Sequence, residues 1–234
     1  MALKNTREGW GWMARAFHWS VALLILGQLI VGFYMVRVVG DDLIQRFQLT
    51  QSHKNFGFLV FALGMLRIAW RLINPTPAEP AMASWQRTAS RASHIALYVL
   101  MIALPVSGWL MASASPLNDA GAYFQVKNEI KLEYMLGAEW GKAVAGWFGW
   151  SNGTLFALPD PFQPGSKVLD EALKAVHFWS AIALSGLLLM HTGAALKHQY
   201  IDKDGLLRRM VWGAPFPEGK RGERETPSYT SPAE

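Results

Sequence analysis

The chain has no cysteine among its 234 residues. That absence excludes disulfides, cysteine-ligated iron–sulfur clusters and covalently attached c-type haem, which needs a Cys-x-x-Cys-His motif. Charge is scarce as well. Asp, Glu, Lys and Arg make up 17% of the residues against 51% hydrophobic, and the run from Ala175 to Leu196 contains none of the four. An uncharged run of this length is enough helix to cross a bilayer. Acidic residues number 17 against 22 basic ones, a net charge of +5. The basic residues flank the apolar runs, where they act as topology signals and contacts for anionic lipid, so the charge does not indicate nucleic acid.

Aromatic residues, by contrast, are plentiful. Eleven Trp and twelve Phe suit belts at the two membrane–water interfaces. Four spans are expected, at Ala16–Val36, His53–Ile73, Ala92–Ser113 and Ala175–Leu196. The first would be ~31 Å long as a helix; it is too long for a signal-peptide core and no small-residue cleavage site follows it. The second is charge-free only from Asn55 to Leu66, and Arg67 and Arg71 lie one turn apart near its end. Pro105 is expected to kink the third.

Between spans three and four lies a long loop, 114–174. Within it, "EWGKAVAGWFGW" (Glu139–Trp150) is too short to span and reads as an interfacial helix. Residues 1–213 form one membrane domain, and the Pro-, Gly- and charge-rich segment 214–234 is expected to be a disordered tail. Fourteen basic residues fall on the side of the N-terminus, the loop between spans two and three, and the tail; eight fall on the other. The positive-inside rule then places both termini of this multi-pass chain in the cytoplasm.

Two histidines, His177 and His191, interrupt the apolar fourth span. Fourteen residues make almost four turns, so the imidazoles point within ~40° of each other and lie ~21 Å apart along the axis. One helix face thus offers a nitrogen ligand near each leaflet. Topology gives His177 one partner at the outer level, His53; at the inner level the candidates for His191 are His18, His94 and His198. Buried imidazoles in a span are costly unless partnered. Facing imidazoles at two depths suit two haems stacked across a helical bundle. Gly57, Ser180, Ala181 and Gly186 could make room for flat macrocycles, although small residues also simply permit close helix packing. A proton relay or a Zn or Cu site are alternatives, but no carboxylate lies within span four to assist either. Arg67 and Arg71 read equally as a positive-inside signal and as salt-bridge partners for haem propionates.

The stretches "FHWS", "SHKNFG", "SHIALYVLMIALPVSGWLM" and "AVHFWSAIALSGLLLMHTGAALKHQYIDKDGLLRRM" resemble the bacterial cytochrome b561 family, from about Arg15 to Met210. The resemblance implies an all-α membrane protein, a four-transmembrane-helix bundle enclosing two non-covalent b haems. It implies His18 and His191 as ligands of the inner haem and His53 and His177 as ligands of the outer one. It places His94 near the inner haem or a quinone, and His198 at the border of a quinone pocket. The implied activity is electron transfer to or from quinone, as in members resembling superoxide:ubiquinone oxidoreductases. The alternative is a haem-containing anchor subunit like the b-type cytochrome of nickel–iron hydrogenases, with a periplasmic redox protein docking on the outer loop, which is longer than in compact members. A His-lined, haem-free transporter is a third reading.

Overall fold

The computed structural model describes residues 2–79, 82–118, 128–150, 153–162 and 164–213. The segment 214–234, expected to be a disordered tail, lies outside the described residues. Four long helices dominate: α1 (Trp12–Arg37), α2 (Leu43–Ile73), α3 (Ser84–Ala114) and, after the loop region, α6 (Lys167–Tyr200). Between α3 and α6 lie β1 (Glu129–Lys131), α4 (Glu133–Leu136), α5 (Ala138–Trp147) and β2 (Thr154–Ala157), and α7 (Leu206–Val211) follows α6. Each long helix is apolar and long enough to cross a membrane.

The helices run further than the apolar stretches that signal them. α2 starts ten residues before His53, because Asp42 caps it by accepting from the Gln45 N–H at 2.9 Å. α6 starts at Lys167, where the Ser166 hydroxyl accepts from the Leu169 N–H, and its first turns are tied by a 2.6 Å Asp170–Lys174 ion pair. Hydropathy marks only the part within lipid; caps and i,i+4 pairs carry the helix into the polar layer. α3 contains Pro105 and is assigned as one continuous helix.

Consecutive long helices run antiparallel, and α3 packs on α6 as α1 packs on α2. The end of the bundle where α1 begins is called proximal below, the other distal. A small core of Val21, Ile25, Val60, Met101 and Leu184 sits at mid-height. There α2 approaches α3 closely, since a Cβ at Gly64 would lie 3.3 Å from the Met101 sulfur. Most of each span faces outward, with Leu23, Ile30 and Leu189 all more than 60% exposed. A surface of that kind belongs against lipid. Exposed aromatics gather at two levels: Trp12, Trp19, Trp85, Tyr200 and Trp212 proximally, Phe33, Tyr34 and Trp179 distally.

At the proximal end the N-terminal segment meets α7. Arg15 donates to the Val211 carbonyl, Trp19 to that of Met210, and the buried Arg209 to those of Ala78 and Glu8. At the distal end a cap formed by β1, α4, α5 and β2 is bonded directly to the helices. The fully buried Asn55 accepts from the Lys131 N–H at 2.7 Å and donates to the Gln51 carbonyl. Ser52 donates to the Tyr134 carbonyl, Trp109 to that of Pro159, and the Ser166 N–H to that of Ala114. Replacing Asn55 by Ala strands the Lys131 N–H and is expected to cost about 1–3 kcal/mol. Earlier proteolytic cleavage within 128–162 at unchanged helix content would register that loss.

Candidate functional site

The bundle brings the predicted histidines together in two groups, one at each end of α6. At the distal level His53 of α2 faces His177 of α6, with ring centroids 6.2 Å apart. His177 Nδ1 lies 2.9 Å from the Ser107 hydroxyl. Ser107 gives its own proton to the Leu104 carbonyl at 2.9 Å, so its oxygen is free to accept from an Nδ1–H. That acceptor fixes the hydrogen at Nδ1 and leaves Nε2 with its lone pair, the arrangement of a metal-ligating imidazole. His53 Nδ1 is buried with no hydrogen-bond partner among the described residues. The helical turn that carries His53 is held by Gln28 of α1, whose amide donates to the His53 carbonyl at 2.6 Å.

At the proximal level His18 of α1 faces His191 of α6 at 6.3 Å between centroids, and His94 of α3 stands 5.4 Å from the same His191 ring. His94 Nδ1 donates to the Ser90 carbonyl at 2.7 Å. Arg67 donates to His18 Nδ1 at 2.9 Å and lies over the Tyr98 ring. Arg71 lies over the Trp10 ring, and its Nη1 is buried without a hydrogen-bond partner among the described residues. His198 belongs to the mouth of this end: its Nδ1 is 2.6 Å from an Asp204 carboxylate oxygen and 3.2 Å from one of Asp202, while Lys197 pairs with Asp202.

The glycines nearest the rings are not the ones that sequence spacing suggests. A Cβ at Gly57 would meet Gln28 at 3.4 Å, and one at Gly186 would meet nothing within 4 Å. Instead Gly32 of α1 stands against His53 and Gly108 of α3 against His177, where a Cβ would lie 3.4 and 3.3 Å from the ring Cε1 atoms. Sequence reading also passed over Ser107 and Gln28. Both are polar residues within apolar runs, and that signal was available.

The family model described as prokaryotic cytochrome b561 matches residues 9–213. Cytochrome b561 homolog 2 of Escherichia coli (strain K12) is 32% identical over 212 residues, 90% of this chain and 95% of that protein. Cytochrome b561 homolog 1 of the same organism is 28% identical over 164 residues, covering 69% and 73% respectively.

The residues fit the b-type haem of such proteins. An imidazole pair on opposite sides of one iron needs two bonds of ~2.0 Å plus ~1.1 Å from each nitrogen to its ring centre, or ~6.2 Å between centroids. The His53–His177 and His18–His191 couples stand at that separation, and the His94–His191 couple stands inside it. His53 Nδ1 and Arg71 Nη1 are buried polar atoms, one at each level, without a hydrogen-bond partner among the described residues. Gly108→Leu would press a branched side chain onto the His177 ring. A pyridine haemochrome assay should then find roughly half the haem per chain or less, with far-UV circular dichroism unchanged.

Proposed function

The chain belongs to the prokaryotic cytochrome b561 family, and from that membership we propose a transmembrane carrier with two b-type haems, one at each end of α6, that moves electrons across the bacterial cytoplasmic membrane to or from quinone. The reading is carried by two cross-bundle imidazole couples of nearly equal width, 6.2 and 6.3 Å, on opposite halves of one helix. His53 and His177 ligate the distal haem, His18 and His191 the proximal one. When bound, each haem supplies a one-electron ferric/ferrous couple.

The remaining residues position and neutralise. Ser107, its own proton committed to the Leu104 carbonyl, holds His177 in the tautomer that presents Nε2. Arg67 donates to His18 Nδ1, which puts that ring's hydrogen on Nε2. Ligation through Nε2 therefore goes with Arg67 turning to another acceptor, and a propionate carboxylate is the acceptor a guanidinium prefers. Arg71, with a spare buried Nη1, is the second propionate partner. His94 stands closer to His191 than a pair on opposite sides of one iron would. Its Nδ1–H is spent on Ser90, so Nε2 is left to accept a hydrogen bond from a quinol hydroxyl. His198, oriented by Asp204, borders the same mouth.

The proximal end lies in the cytoplasm, because the basic excess flanks it. The loop 114–174 carries seven acidic and five basic residues, which gives superoxide anion no attractive field. Quinone, rather than superoxide, is therefore placed at the centre of this reading. The test is haem content with a redox titration on the purified chain. His177→Ala should take the haem-to-chain ratio from about two to about one and remove one midpoint, and His191→Ala should remove the other. An unchanged ratio in either variant refutes the ligand assignment.

A further inference from the structure

The distal cap carries an apolar stripe that its own packing leaves uncovered. On α5, at about 100° per residue, Trp140, Ala143 and Trp147 fall within about 60° of one another, while the buried Gly141 and Ala145 lie about 150° further round. Trp140 is 68% exposed and Trp147 75%, and Phe148, stacked on Trp150 just beyond the helix, is 65% exposed. Between stripe and buried strip, on the remaining flank, stand the exposed Glu139, Lys142 and Gly146.

We propose that α5 is an interfacial anchor whose Trp140–Ala143–Trp147 stripe rests in the lipid headgroup layer at the distal face. Its position is set by the cap's attachments. α4 is bonded to Ser52 and β1 to Asn55, beside the start of the apolar stretch of α2. α5 is clamped to α4 so closely that a Cβ at Gly141 would lie 2.5 Å from the Glu133 backbone. The stripe thus extends the distal aromatic level of Phe33, Tyr34 and Trp179 on the spans themselves. Its chemistry agrees: Trp is the residue of the membrane interface, and a short helix with Trp on one face and a polar flank lies in that plane. One acidic and one basic residue, Glu139 and Lys142, leave α5 without net charge, so it binds through its rings and not through headgroup charge.

Area argues against a second copy as the cover. Three aromatic side chains about two-thirds exposed offer on the order of 400 Å², where a stable protein interface needs about 800 Å² per partner.

The absence of cysteine makes the test direct, since a single introduced Cys is the sole site of labelling. Ala143→Cys and Lys142→Cys chains carrying a nitroxide would be placed in nanodiscs of phosphatidylethanolamine and phosphatidylglycerol. Power-saturation spectra would then be read with oxygen and with a water-soluble nickel chelate. The expected result is an oxygen-to-nickel accessibility ratio several-fold higher at position 143 than at 142. Adding Trp140→Gln and Trp147→Gln should bring the ratio at 143 down to that at 142, with helix content retained. Equal ratios at the two positions in the otherwise native chain would overturn the proposal. So would dipolar broadening at 143 between chains, which would make a second copy the occupant.

Discussion

An imidazole inside a membrane-spanning helix has no water to satisfy its nitrogens, and the rest of this structure is arranged around that constraint. α6 carries two such rings on one face, and the other long helices turn polar atoms toward them at matching depths. α2 and α1 bring His53 and His18 to face them, and α3 brings Ser107 to one level and His94 to the other. These contacts fix the rotation of each helix about its axis more tightly than the apolar core does. Among the described residues that core is five buried side chains with partly buried ones packed against them, and lipid is as good a solvent for the remaining aliphatic surface as another helix would be.

The two ends of the bundle differ in chemistry. The described contacts of the distal couple are neutral: a serine, glycines and an amide on α1. Around the proximal couple stand two guanidiniums and a third imidazole. The distal end is closed by a cap hydrogen-bonded to α2 and α3, the proximal end by carbonyls held on Arg15 and Arg209. Each end therefore offers a different environment to whatever approaches it.

Much of this was written plainly in the sequence. The four apolar runs located the long helices, and the spacing of His177 and His191 set two levels. Helix ends were less legible. Asp42 and Ser166 start α2 and α6 well outside the apolar stretches, and a hydropathy pattern does not register a cap. The small residues that touch the rings were also missed. Gly57 and Gly186 follow from spacing along a ligand's own helix, whereas Gly32 and Gly108 belong to neighbouring helices whose rotation only packing decides. Ser107 was hidden for the same reason: its partner is seventy residues away.

The mid-height core has a consequence of its own. Val21, Ile25, Val60, Met101 and Leu184 separate the two histidine levels, and none of these side chains carries an O–H or N–H. A hydrogen ion moving along a bilayer normal needs a file of hydroxyls, amides or waters to hop between, and these five side chains supply no such stepping stones. An electron needs none. The nearest hydroxyl on α6, that of Ser185 beside Leu184, is turned back onto its own helix at the Ala181 carbonyl, so the greasy layer is a poor relay for acid without being an obstacle of the same kind to negative charge.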